Sequence, residues 1–110
     1  MAEAWAQNDE AVVISLDTQG LDDVVYRTHD LYTLEDLLTK ELESDGSGEL
    51  DGHEISPTQT TIYLYGPDAE EMFSKCRPVL ASYPLCRNSR AVIRRGGPGS
   101  SQRVATFPYD

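Results

Sequence analysis

The run Thr60-Thr61-Ile62-Tyr63-Leu64-Tyr65 is β-branched and aromatic throughout, and its side chains alternate with a period of two. It reads as a strand. Ile62 and Leu64 then share one face, and Tyr63 and Tyr65 share the other. Gly66-Pro67-Asp68 ends it. Asp68 with Glu71 begins a helix in the manner of a capping box. Met72, Phe73, Cys76, Val79 and Leu80 give that helix one apolar stripe. Pro78 lies inside the stripe, where a kink is expected, and Pro84 closes the helix.

Upstream, Pro57 separates the run from a short strand or hairpin over residues 49–55. Strict alternation there would put Leu50 and Ile55 on opposite faces, and a bulge or tight turn at Asp51-Gly52 would reconcile them. Leu34, Leu37, Leu38 and Leu42 mark a second helical stripe. Thr33 is its expected N-cap, with Asp36 three residues on. Asp45-Gly46-Ser47-Gly48 stops it. Val12, Ile14 and Leu16 make one face of a first strand, and Val24-Val25-Tyr26 reads as a short extended piece. Downstream, residues 90–95 form a strand around Val92 and Ile93. The Gly-rich stretch 96–101 is a hairpin loop, and residues 102–107 return antiparallel.

The order is β-α-β-β-α-β with one added strand. That is an α+β, ferredoxin-like arrangement with two helices on one face of an antiparallel sheet. Residues 1–10 read as a loose N-terminal segment, 11–107 as a single domain and 108–110 as a tail. The chain has 110 residues, enough for one core, with 39% apolar side chains. No apolar run approaches the roughly 20 residues of a membrane helix. The N-terminus has no basic segment followed by an apolar one, so cytoplasmic residence with reduced Cys76 and Cys86 is the expectation. Cys76 falls on the helix stripe. Cys86, next to Arg87, is the better candidate for a reactive thiol.

Net charge is −10, and it is divided unevenly. Residues 1–55 hold 15 acids and two bases, whereas residues 56–110 hold four acids and seven bases. An acidic half solubilises a chain, and it also steers association with a basic protein. The leading functional reading is therefore a non-enzymatic interaction domain, of immunity or inhibitor type. It would use Glu49, Asp51, Glu54, Tyr63 and Tyr65 against a basic protein partner. Sheet edges would also permit a homodimer.

Other chemistry is weaker in the residues. Residues 43–54 place oxygen ligands Glu43, Asp45, Ser47, Asp51 and Glu54 in an EF-hand-like spacing, with Gly48 at the turn. The alternative reading is thus a calcium- or ligand-responsive sensor. Glu43 stands where the EF-hand has Asp, and no helix follows Glu54, so a helix stop and an acidic turn explain the segment as well. Without calcium, no cofactor is implied. His29, His53, Cys76 and Cys86 lack the close spacing of a structural zinc site. An enzyme would need a site assembled from scattered residues, such as His53, Glu54 and Asp51. Residues 96–101 lack the lysine of a phosphate loop. Tyr63 and Tyr65 near Arg90 and Arg94 suggest an RNA platform, but a chain of this charge repels a polyanion, so no nucleic acid is expected. No membrane partner is expected either.

Asp51-Gly52-His53-Glu54-Ile55, Leu64-Tyr65-Gly66-Pro67-Asp68-Ala69 with Phe73, Pro78-Val79-Leu80 and Pro84-Leu85 together resemble a pattern in small uncharacterised bacterial α+β proteins. The resemblance covers roughly residues 49–95. It implies a small bacterial α+β domain and transfers no catalytic residue.

Overall fold

The computed structural model describes residues 10–44, 46–96 and 99–107. The elements run β1 (Glu10–Asp17), α1 (Asp23–Thr28), α2 (Leu31–Glu43), β2 (Glu49–Ile55), β3 (Gln59–Gly66), α3 (Ala69–Ser82), β4 (Ser89–Arg94) and β5 (Gln102–Phe107), with a 3-10 turn at Pro84–Cys86 between α3 and β4. The fold is α+β. All five strands join one antiparallel sheet in the order β2-β3-β1-β4-β5.

Register places the core. Ile14 stands beside Ile62 and Ala91, and Val12 beside Leu64 and Ile93. These side chains share a face, and all are buried in one cluster with Leu34, Leu38 and Leu42 of α2 and Met72, Phe73, Cys76 and Leu80 of α3. Both long helices therefore cover the same face of the sheet. Full burial of a Leu or Ile side chain contributes about 1.5–3 kcal/mol, so this single layer carries most of the stability.

Two local expectations are corrected. Val24-Val25-Tyr26 is not extended but lies in α1. β-branching disfavours helix only slightly, and here tertiary contacts outweigh it. Val25 is buried, and the Tyr26 hydroxyl accepts from Leu21 N–H at 3.1 Å and donates to the Asp17 carbonyl at 3.0 Å. The sheet thus carries three helices rather than two. The N-cap of α2 is Asp30, not Thr33. The Asp30 carboxylate accepts from Thr33 N–H at 3.4 Å, so the helix starts at Leu31. By contrast, Asp68 caps α3 as its sequence suggests, accepting from Glu71 N–H at 3.2 Å. The helix continues through Pro78 to Ser82.

The bulge in β2 is present. Leu50 pairs with Leu64 and Gly52 with Tyr63, and the extra residue is Asp51. Leu50 and Ile55 consequently point to the helix face together, although Ile55 at the strand end remains exposed.

Asp17 ties the start of β4 to the end of β1. Its carboxylate accepts from the backbone N–H of Gln19 and Gly20, each at 2.9 Å, and from the Asn88 amide at 2.7 Å. These bonds, the backbone pair first, hold its pKa below the ordinary carboxylate value. A carboxyl whose folded pKa is depressed stabilises the fold above its unfolded pKa, and that contribution is lost as pH falls through the folded pKa. Asp17→Asn should therefore flatten the loss of stability as pH falls through and below the ordinary carboxylate range, read by urea unfolding at each pH. An unchanged slope would mean that the bonds do not favour the ionised form.

Candidate functional site

The sheet face turned away from the helices carries the residues of interest. Its rows follow from register, because alternate residues of paired strands point the same way. One row reads Glu49, Tyr65, Ala11, Arg94, Gln102 from β2 to β5. The next reads Gly52, Tyr63, Val13, Val92, Val104, with the bulged Asp51 beside Gly52. A third reads Glu54, Thr61, Ser15, Arg90, Thr106. Tyr63 and Tyr65 are half-buried on this face, and Glu49, Asp51 and Glu54 are exposed along its β2 border. The bulge matters here. With strict alternation Glu49 and Glu54 would lie on opposite faces, and the extra residue turns Glu54 to the side of Glu49.

Tyr63 donates to the Glu54 carboxylate at 2.5 Å. That bond, with smaller contributions from burial and neighbouring negative charge, pushes the Tyr63 pKa up from its ordinary value. The phenol is held as a donor and is not a base. Asp51, Gly52, His53, Glu54, Tyr63 and Tyr65 line a shallow open depression at the border. Among the described residues, Glu49 and Asp51 make no ion pair or hydrogen bond through their carboxylates, and neither does the guanidinium of exposed Arg90. Half-buried Arg94 donates through Nε to the Gly96 carbonyl at 2.9 Å, while its Nη2 is buried without a partner. The face therefore presents carboxylates on one side and the exposed Arg90 guanidinium on the other, with the Arg94 guanidinium partly enclosed by its own chain.

The pairs that sequence reasoning missed lie mostly on the opposite face. His53 points to the helices, where Nδ1 meets Glu35 of α2 at 2.8 Å and Tyr32 packs edge-on at 6.2 Å. That contact separates His53 from Glu54, which faces the other way, so the two do not form one acid–base pair. Arg103 of β5 makes a bidentate bond to Glu70 of α3, both contacts at 2.7 Å, and lies over the Phe73 ring. These partners are 18 and 33 residues apart, and no local spacing signals them.

The segment 43–54 is the end of a helix, a turn and a strand. Glu43 is exposed at the end of α2, and Asp45 lies outside the described residues. Ser47 is buried, and its hydroxyl donates to the Leu42 carbonyl at 3.4 Å. Asp51 and Glu54 belong to the strand border. Among the described residues, no group of three or more His, Cys, Asp or Glu stands together as a metal-holding cluster. His29 packs edge-on against Tyr83 at 5.4 Å. Cys76 and Cys86 are both fully buried, and burial pushes each thiol up to about 12. Cys86, the better candidate of the two for a reactive thiol by sequence, is as deeply buried as Cys76. Its position beside Arg87 in sequence does not carry the guanidinium to the sulfur, and desolvation decides the pKa.

Two further concavities open among the described residues. One, at the far end of the open face, is lined by polar groups including Asp17, Gln59, Asn88 and Arg90. The other is smaller and apolar, between Tyr26, His29, Leu31 and Ile55. No helix among the described residues is long and apolar enough to cross a membrane. Compared with protein-family models, curated proteins and solved structures, the chain finds no match.

Proposed function

We propose that this chain is a non-enzymatic protein-interaction domain that docks a basic partner on its open sheet face. The observation that carries the reading is the border itself. Exposed Glu49, Asp51 and Glu54 lie beside half-buried Tyr63 and Tyr65 on one surface. Tyrosine supplies large contact area at low entropic cost, and a carboxylate rim selects and steers a basic surface. An immunity or inhibitor role toward a basic protein is the concrete form of this reading, and a cytoplasmic setting suits its two free cysteines. The strand order supports a ferredoxin-like core of β1 to β4 with α2 and α3, to which β5 is an addition.

The test is retention of lysate proteins by the tagged chain at low and high salt, compared with a variant carrying Glu49→Lys, Asp51→Lys and Glu54→Lys. A basic protein held by the parent, released by salt and lost at least about tenfold in the variant supports the reading. Retention indifferent to both salt and the three substitutions overturns it.

A further inference from the structure

We infer that the basic surface matched to the carboxylate border is carried by a second copy of this chain, docked face to face on the open sheet. The inference rests on the open face being the docking surface, and it names what occupies it.

Strands in a sheet lie about 4.8 Å apart, so β2 and β4 are separated by about 14 Å. Across their own sheet Glu49 and Glu54 form no ion pair with Arg94 and Arg90, although register puts them in the same rows. A second copy brings the two sets of charges closer. Half a turn about an axis parallel to β1, lying between the two faces, keeps every residue at its level along the strands. It exchanges β3 with β4 and β2 with β5. Tyr65 then faces Arg94 of the second copy, with Glu49 one strand away. Glu54 meets Thr106 of the second copy, with Arg90 of that copy one strand away. Tyr63 meets Val92, and Val13 meets Val13 across the axis.

The opposite two-fold, perpendicular to the strands, lays β2 on β2. It sets carboxylates on carboxylates and guanidinium groups on guanidinium groups. The charge pattern thus selects one symmetric arrangement. That arrangement is closed, because a two-fold uses the same patch on both copies and leaves no free site for a third. Facing sheets pack about 10 Å apart, which an arginine side chain and a tyrosine together span. Guanidinium over a phenol ring is itself favourable.

Area sets the strength. Five strands by about six residues cover about 500 Å² on each copy, or about 1,000 Å² in total. That is the lower bound for a specific interface. The dimer is accordingly weak, and a basic partner with more arginines can displace the second copy from the same face.

The experiment is a charge exchange measured by sedimentation equilibrium at physiological salt. One variant carries Glu49→Arg and Glu54→Arg. The other carries Arg90→Glu and Arg94→Glu, with exposed Arg90→Glu alone as a second version should the half-buried Arg94 be needed for folding. The parent should dimerise with rising concentration, each variant alone should be about tenfold weaker, and the equimolar mixture should return to about the parental strength. A parent that stays monomeric at millimolar concentration overturns the inference, as does a mixture no stronger than its components. If either happens while the triple lysine variant still loses a basic protein, the docking face stands and only its occupant is wrong.

Discussion

Ile14→Ala should lower the unfolding free energy by about 4 kcal/mol, the upper part of the range for truncating a buried isoleucine. Ile14 is fully buried on the central strand, flanked by Ile62 and Ala91 and roofed by the two long helices. Both flanking strands are held by their own hydrogen bonds, so the cavity has little freedom to collapse. A domain of this size has a stability of about 5–15 kcal/mol, so the variant loses a large fraction of it. Its neighbour Val13 is half-buried on the open face, and Val13→Ala should cost about 1 kcal/mol or less in dilute solution. Urea unfolding of the two variants measures the contrast. Equal losses would mean that the helix face is not the main core.

Gly66→Ala should cost about 3 kcal/mol, through crowding and not through conformation. A Cβ at Gly66 would stand 2.6 Å from the Ser47 carbonyl oxygen and 2.8 Å from the Met72 sulfur. The sulfur can move, but the carbonyl belongs to the turn that leads into β2. Gly48 differs in this respect. Its Cβ would meet the Met72 sulfur at 2.3 Å, while the nearest backbone atom is the Tyr65 oxygen at 3.1 Å. Met72→Ala should therefore relieve most of the cost of Gly48→Ala and little of that of Gly66→Ala. A double-mutant cycle for each glycine with Met72 reads this directly. Coupling of the same size in both cycles would refute the distinction between a movable and a fixed neighbour.

The periodic parts of the fold were legible in the residues. Ile62 and Leu64 alternate with Tyr63 and Tyr65, and the structure sends the first pair to the helices and the second to the open face. The leucine stripe of α2 and the capping aspartate of α3 follow the same local rules. Those rules fail where tertiary contacts compete with propensity. Val24 and Val25 read as extended, but burial of Val25 and the Tyr26 staple make them helical. Thr33 has the chemistry of a cap, yet the carboxylate three residues earlier takes its amide.

The candidate face was legible in part. Period two is enough to join Tyr63 with Tyr65, and Arg90 with Arg94. Uniting Glu49 with Glu54 needs the bulge, whose Asp51-Gly52 signal is equally a turn signal. Nothing local brings His53 to Glu35 or Arg103 to Glu70, because such pairs are set by how helices lie on the sheet. Cys86 shows the converse. A neighbouring arginine in sequence suggested reactivity, and burial removed it.

The central place of β1 also has a consequence in time. Asp17 pairs with Gln59 and Ser15 with Arg90, so the two neighbours of this strand follow it by about 42 and 75 residues. At about 5–20 residues per second, the ribosome delivers the second neighbour roughly 4–15 s after β1. Until β3 is made, Val12, Val13 and Ile14 have no sheet to enter, and any nascent chain stopped short of β4 leaves one whole side of the strand unpaired. The span between β1 and β4 is thus the interval in which a truncated product presents an open strand edge ready to pair with another chain.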